Sequence, residues 1–296
     1  MINTAWDEYR GWAARGREQQ SVANRWNIAA LISATLAAVF GAAATQTAGH
    51  ELGRVFSLFA AIAAGLTPLL GKEMLTLGSE AKWIRSRATA EAIKSACFRY
   101  AARSGRYAAA DADDQFIACR NALVAEAAKA GATQKPDPVG PAGDKRRPPS
   151  PFDLNWYLAN RIDDQIKYYG SAQAKHETWL KRLRFFMFAA SVIAAVFGAI
   201  GLTNDSAFAP WIGALTTVAT ALAAYGLLDR RAYLAASYAA MADGLGRLKD
   251  RAKFLGPAAF VEQAEDLMQS EHAAWTERMT KAIAAPEKPP PKDENK

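Results

Sequence analysis

The side chains that could carry chemistry are few and far apart in this chain of 296 residues. Its histidines are His50, His176 and His272, and no two of them have the spacing by which one helix presents two metal ligands. His176 is followed by a glutamate, but the second histidine of a zinc-protease helix is missing. We therefore expect no metal site.

The cysteines, glycines and aspartates form no other constellation. Cys97 and Cys119 have neither metal-ligand spacing nor a neighbouring histidine, so we expect reduced thiols. Gly244 and Gly246 lack the third glycine and the preceding strand of a phosphate-binding turn. The aspartates within 111–114 are typical of a solvated helix cap. The sequence thus predicts no enzymatic activity and no cofactor.

A patch of hydroxyl groups lies in an otherwise apolar segment. It consists of Thr216, Thr217 and Thr220, of which the first and the last are one helical turn apart. In an apolar helix such hydroxyls usually donate back to the carbonyl group four residues earlier. The alternative is that they line a hydrated path through an oligomer.

Two pairs of opposite charges have helical spacing. Glu91 and Lys94 are three residues apart, and Asp243 and Arg247 are four residues apart. Each pair is a candidate for joining two helical stalks. An ion pair on the surface of one helix has the same sequence signature and is the simpler interpretation.

Four apolar segments without charged residues organise the chain. At about 1.5 Å per residue they extend about 25 to 32 Å, against a hydrocarbon core of about 30 Å. A soluble bundle of alanine-rich helices is the alternative, but the first segment carries only Ser33 and Thr35 as polar residues, and a soluble helix should show a polar stripe. The sequence predicts an all-α integral membrane protein with two helical hairpins and long cytoplasmic stalks. Its transmembrane helices are expected at 28–44, 55–71, 185–202 and 208–228.

Basic residues are segregated around these segments, although a net charge of +7 and a mean hydropathy of −0.11 are ordinary for a globular protein. Of the 36 Lys and Arg residues, 4 precede the first segment, 20 lie between the second and third, 11 follow the fourth, and only Arg54 lies in a hairpin turn. The positive-inside rule therefore predicts a multi-pass membrane protein with both termini in the cytoplasm. The basic residues then orient the protein and contact the lipid bilayer, so we expect no nucleic-acid binding.

Small residues and one proline lie within the predicted spans. Ala37 with Gly41, and Ala194 with Gly198, are pairs of small residues four positions apart, which allow helices in a membrane to pack closely. Pro68 lies inside the second span and should kink it, because proline cannot donate a backbone hydrogen bond. A kink is usually a packing feature, and a gating hinge is the alternative.

The sequence contains one module twice. The hexapeptide Ala-Ala-Val-Phe-Gly-Ala occurs at 37–42 and at 194–199, each time in the first span of a hairpin. Each copy is predicted to contain an entry helix, a hairpin, a stalk helix and a return helix, in the same orientation. We therefore divide the chain into a first copy at 1–131, a proline- and glycine-rich linker at 132–151, a second copy at 152–284 and a disordered tail at 285–296.

The stalk and return helices carry the features by which the chain resembles a known family. The stalk of the first copy is WIRSRATAEAIK at 83–94, and the return helix of the second copy contains FVEQAE at 260–265 and EHAAW at 271–275. With the short outer turns, these features resemble the SLATT proteins, which are bacterial effector modules with two membrane spans. The resemblance covers nearly the whole chain except the linker and the tail.

The resemblance also implies a function. SLATT modules occur beside nucleotide-second-messenger synthases and sensors in anti-phage conflict systems, and they are proposed to assemble into pores that depolarise the infected cell. For this chain the resemblance implies a homo-oligomeric effector of antiviral defence in the inner membrane of the cell. Its trigger would come from a cytoplasmic sensor or second-messenger partner, because the chain has no recognisable sensor domain. The alternative is a membrane-anchored adaptor whose cytoplasmic helices dock a soluble partner.

Overall fold

The structure is a computed structural model that describes residues 1–75, 77–129, 146–201, 208–228 and 231–284. The environments of side chains are described for these residues except 71–75, 77–81, 201, 224–228 and 279–284. The described residues form helices, turns and short loops, and they include no strand. The all-α prediction is therefore confirmed for this part of the chain.

Helices of very different length follow one another along the chain. They are α1 (Ile2–Gln46), α2 (Glu51–Leu75), α3 (Leu77–Ala101), α4 (Ala112–Lys129), α5 (Leu154–Tyr157), α6 (Asp163–Gly201), α7 (Ala209–Leu228), α8 (Arg231–Asp250) and α9 (Pro257–Ala284). A π-helical turn at Leu158–Ile162 joins α5 to α6. Because α1 and α6 are 45 and 39 residues long, each is longer than a bilayer alone requires.

Among the described residues, three helical stretches are long and apolar enough to cross a membrane, namely Ile2–Gln46, Glu51–Leu70 and Leu154–Ile200. In their most apolar 18-residue windows only 11%, 11% and 0% of the residues are buried within the chain. In α7 the described apolar stretch is shorter, Ala209–Ala223. Three of the predicted spans thus lie in long, exposed apolar helices, whereas the count of four spans stays a prediction.

A tight turn at 47–50 joins α1 to α2. Gly49 has a φ of +90°, which lies in the left-handed region that favours glycine. A Cβ on Gly53 would lie 2.4 Å from the carbonyl oxygen of Thr47, so only glycine fits at this position. Two glycines therefore permit the chain to reverse direction between the first two apolar helices.

The described part of the chain divides into two compact units. The second compact unit consists of the described residues of 20–76 and 148–260, and it contains both hairpins. Phe40 of α1 stacks on Phe56 of α2 with a centroid distance of 6.1 Å and lies 5.5 Å from Phe59. Phe197 of α6 stacks at 5.1 Å on Phe208, which directly precedes α7. Because Phe40 and Phe197 are the same residue of the repeated hexapeptide, both copies close their hairpins with the same ring.

In the second compact unit α8 packs antiparallel to α6. Lys249 pairs with Asp163 near one end, and the Arg231 guanidinium lies 4.3 Å over the ring of Trp179 at the other. The buried side chains of α8 recur every three or four positions, as a helix with one covered face requires. They are Leu234, Tyr238, Met241, Leu245 and Leu248.

The described residues of 1–19, 77–147 and 261–296 form the first compact unit, in which α3 is packed against several helices. Its aromatic pairs with α1, α9 and α4 are Trp6–Phe98 at 5.7 Å, Trp83–Trp275 at 5.2 Å and Tyr100–Phe116 at 4.5 Å. Because neighbours cover α3 on several sides, even the polar residues Ser86 and Ser95 are buried.

The compact units do not coincide with the two copies of the repeated module. The return helix of the second copy, α9, begins at Pro257 and belongs from Val261 onward to the first compact unit. There it packs on α3, the stalk of the first copy. The predicted linker at 132–151 lies largely, and the predicted tail at 285–296 wholly, outside the described residues.

Candidate functional site

The four small residues predicted to pack the spans are half-buried in α1 and α6. A Cβ built on Gly41 would meet no described atom within 4 Å, and one built on Gly198 would meet only Cδ1 of Ile212, at 4.0 Å. Within one chain these glycines therefore make no close backbone approach to described residues. A packing role for them and for Ala37 and Ala194 stays a prediction, and it concerns contacts between copies of the chain.

A serine hydroxyl connects the helices of the first hairpin. Ser33 of α1 is buried, and its hydroxyl donates to the carbonyl oxygen of Ala63 in α2 at 2.8 Å. Ala42 and Ala63 are buried in the same hairpin, because small side chains let membrane helices approach. The sequence identified Ser33 only as a rare polar residue in its span, since its partner depends on how the two helices are aligned.

We expect Ser33→Ala to destabilise the first hairpin by about 1 kcal/mol, because hydrogen bonds between membrane helices contribute about 0.6 to 2 kcal/mol. Ser191→Ala is the matched control, since the exposed Ser191 donates to the carbonyl of Met187 in its own helix. Thermal unfolding of the protein in detergent micelles measures both effects. Equal thermal unfolding midpoints for the two variants would contradict the proposed contribution of the Ser33 hydrogen bond to the stability of the hairpin.

The predicted hydroxyl patch is exposed on α7. Thr216 donates to the carbonyl of Ile212 at 2.7 Å, and Thr217 donates to that of Gly213 at 2.8 Å. Backbone carbonyls therefore satisfy these two donors, which is the simpler of our two expectations. The hydroxyl oxygens still have lone pairs that can accept from water, and Thr220 extends the same face by one turn.

Pro68 lies inside α2, where the side chain is exposed. Because proline has no N–H group, the carbonyl of Ala64 lacks its usual helical donor. The preceding carbonyl, of Ala63, accepts the hydroxyl of Thr67 at 2.9 Å in addition to the bond from the first helix. The proline therefore lies one turn from the hydrogen bond that joins the hairpin, and its role as a hinge stays a prediction.

The two predicted ion pairs form within their helices but differ in environment. Lys94 Nζ lies 3.9 Å from the Glu91 carboxylate and 5.2 Å from the ring of Tyr9, and the lysine is buried. Arg247 pairs with Asp243 on α8, and both side chains are about two-thirds exposed. The pair on α8 is thus a surface salt bridge, whereas the pair on α3 lies inside the first compact unit.

Two arginines make further charged contacts, which the sequence did not reveal, between helices of the first compact unit. Arg120 of α4 donates through Nε to the Glu8 carboxylate at 2.6 Å and through Nη2 to its other oxygen, and the hydrogen bond raises the pKa of Arg120. Arg99 of α3 donates to Glu262 at 2.5 Å and to Asp266 at 2.7 Å. The partners are at least 112 positions apart, so no helical spacing could predict them.

The two cysteines lie in the same helical core. Burial raises the pKa of the Cys97 thiol well above its ordinary value, and nearby Glu265 contributes to the rise. Burial likewise raises the pKa of Tyr107, which is hydrogen-bonded to Cys119. Because the thiolate is the reactive form of cysteine, a buried and neutral Cys97 is a poor nucleophile.

The histidines lie in separate elements. His50 is in the turn after α1, His176 is on α6, and His272 on α9 stacks on Trp275 with a centroid distance of 5.5 Å. Burial, and to a smaller extent the nearby Arg87, lowers the pKa of His272 to about 4. Among the described residues, no three His, Cys, Asp or Glu side chains come together as a metal site requires.

Comparison with known families agrees with this arrangement of two hairpins and two stalks. The SMODS and SLOG-associating two-transmembrane effector domain 1 matches residues 157–275, which include α6, α7, α8 and most of α9. The family described as protein of unknown function DUF4231 matches residues 8–115, from α1 to the start of α4. No curated protein and no solved structure matches the chain. The resemblance inferred from the stalk and return helices is confirmed for residues 157–275, and the two matches together are consistent with a tandem SLATT-type protein.

Proposed function

We propose that this protein is a conflict-system effector that crosses the inner membrane four times, assembles from several copies and forms a pore. The observation that carries the proposal is the match of the second copy to a two-transmembrane effector domain, whose long apolar helix α6 has a window with 0% of its residues buried. A SLATT domain implies a membrane effector, and the pore and its trigger are our addition.

The distribution of basic residues supports the orientation. The described residues on the stalk side of the hairpins include most of the Lys and Arg, whereas the turn at 47–50 contains none. Both termini and all stalk helices then lie in the cytoplasm, where a sensor or second-messenger partner can reach them. Alkaline phosphatase and green fluorescent protein fused after Lys296 test this orientation, since the first is active only outside and the second only inside. An active phosphatase fusion would contradict it.

Exposure of the spans supports assembly. A four-helix membrane protein that buried its spans against one another would show inward-facing residues along each helix, yet the windows of α1, α2 and α6 bury at most 11% of theirs. These surfaces contact either lipid or other copies of the chain. In an oligomer the threonine face of α7 is the most polar surface available to line a channel, because the predicted spans contain no charged residue.

Dye release from liposomes tests the pore directly. We expect the purified full-length protein to release carboxyfluorescein from vesicles, and its induced expression to depolarise cells. Thr216→Leu together with Thr220→Leu should abolish release, since leucine removes two hydroxyls from the lumen and adds bulk. Ser191→Leu is the control, because it replaces an exposed hydroxyl on α6. Release that persists in the double variant would exclude α7 as the lining, and an intact potential under every condition would exclude the pore.

A membrane-anchored adaptor is the second candidate. The observation that favours it is the extent of folded helix outside the apolar windows, including α3, α4, α8 and α9. The combined surface of these helices is large enough to dock a soluble partner. An adaptor should tolerate the double threonine variant in every assay and should show no dye release, so the same experiment separates the two functions.

A further inference from the structure

The last turn of α6 before its apolar segment carries three exposed cations, Lys181, Arg182 and Arg184, which we call the basic collar. Among the described residues, no carboxylate lies within 4 Å of any of them. Glu177, one turn earlier, accepts a hydrogen bond from Gln173 at 2.9 Å. The collar is therefore a group of positive charges without counterions in the described part of the chain.

A phenylalanine follows each cation of the collar by four residues, at Phe185, Phe186 and Phe188. At about 1.5 Å per residue each ring lies about 6 Å further along the helix axis than its cation. The three side chains are 66%, 60% and 69% exposed. Cations followed one turn deeper by exposed aromatic rings are typical of a membrane interface, where charges meet headgroups and rings meet the upper acyl chains.

The collar extends around much of the helix. At about 100° per residue the three pairs cover about 200° of the circumference of α6. A fourth cation lies at the same level, because Arg231, the first residue of α8, stacks 4.3 Å over the ring of Trp179. Positive charge is therefore concentrated where α6 enters its apolar segment and where α8 begins.

The first copy of the module lacks this arrangement. Counting from the shared hexapeptide, Lys181 and Arg184 correspond to Asn24 and Asn27 in α1, and only Arg182 has a basic counterpart, at Arg25. The three phenylalanines correspond to Ile28, Ala29 and Leu31. Since α1 is helical through all these positions, helix formation does not require the collar.

We propose that the basic collar of the second copy binds the phosphate headgroup of anionic phospholipids such as phosphatidylglycerol. Charge complementarity selects an anion, and the adjoining phenylalanines select one that carries acyl chains. A free phosphate or a nucleic acid would neutralise the cations but would leave three aromatic rings without an apolar partner. This inference rests on the placement of α6 in the membrane proposed above, and it does not depend on a pore.

Exchange of residues between the copies tests the proposal. Lys181→Asn with Arg184→Asn gives the second copy the residues that the first copy already carries in a helix. The full-length protein in dodecyl maltoside micelles is titrated with phosphatidylglycerol, phosphatidylcholine, inorganic phosphate or a short RNA, and bound ligand is counted by native mass spectrometry. We expect phosphatidylglycerol to bind the double variant about 25-fold more weakly than the wild type, because each basic residue near an anionic lipid contributes about fivefold.

The reciprocal variant, Asn24→Lys with Asn27→Arg, should gain affinity for phosphatidylglycerol at the first copy. Equal binding of phosphatidylglycerol to the wild type and to the Lys181 and Arg184 variant would overturn the proposal. Binding of inorganic phosphate, or of a short RNA, that is lost in the same variant would also overturn it, by assigning the cations to a soluble anion. Dye release from vesicles of pure phosphatidylcholine is measured in parallel, so that failure of the pore proposal is distinguished from failure of lipid binding.

Discussion

Replacement of Arg120 by alanine is expected to destabilise the first compact unit by about 3 kcal/mol or more, whereas Arg247→Ala on α8 should cost less than about 1 kcal/mol. Both substitutions remove an arginine that pairs with a carboxylate. The two substitutions differ in the exposure of the carboxylate that remains. Glu8 is 7% exposed, so its carboxylate would remain buried and would lose the two hydrogen bonds that Arg120 donates. Asp243 is about two-thirds exposed, so water replaces its partner.

Hydrogen exchange in detergent micelles measures this difference. Peptides from α3, α4 and the first 19 residues of α1 should lose protection in Arg120→Ala and keep it in Arg247→Ala. Glu8→Gln with Arg120→Met removes both charges and should recover much of the loss, because this pair then leaves no buried charge behind. Equal exchange in the two single variants would show that burial of Glu8 does not determine the stability of this unit.

Lowering the pH from 7 to 5 is expected to weaken the packing of α9 on α3 by about 2 kcal/mol through His272. The pKa of His272 is lowered from 6.5 to about 4, by burial first and by Arg87 second, while Glu91 acts in the opposite direction. The folded protein therefore holds the neutral imidazole, and the unfolded chain binds the additional proton. Stability is complete above about pH 6.5 and falls until about pH 4, for a total of about 3 kcal/mol.

Exchange rates of α9 peptides at pH 5 and pH 7, corrected for the intrinsic effect of pH, measure this loss. His272→Gln should remove most of the pH dependence, because the glutamine cannot be protonated in this range. His50→Gln is the matched control, since His50 is exposed in the turn between α1 and α2. A pH dependence of α9 that is unchanged in His272→Gln would assign the effect to another group.

The two predictions concern one property of the first compact unit, which is that charged and titratable side chains help to hold its helices together. Arg99 contacts two acidic residues of α9, Arg120 contacts Glu8 of α1, and His272 stacks on Trp275 against α3. Contacts of this kind are sensitive to pH and to the loss of one partner. The packing of α9 on α3 includes both kinds of contact, because Arg99 and His272 both lie at it.

Local sequence predicted the elements of the structure well. Uncharged apolar segments predicted the positions of the long exposed helices, since an apolar stretch of about 17 residues or more has few alternatives to a helix in lipid. The repeated hexapeptide predicted a duplicated hairpin, and the rings of Phe40 and Phe197 close both hairpins with similar partners. The stalk and return helices were sufficient to indicate the family, because their pattern lies within contiguous segments.

Tertiary structure alone decided which helices are neighbours. Helical periodicity shows that one face of a helix is covered, but it contains no information about what covers it. The assignment of α9 to the first compact unit, the pairing of Glu8 with Arg120, and the hydrogen bond from Ser33 to Ala63 all depend on contacts between distant segments. Because α3 is covered on several sides, it shows no clear polar face, and its central place could not be predicted from its own residues. The sequence determined the position of each helix and the environment that its residues favour. Tertiary packing determined which helices are in contact.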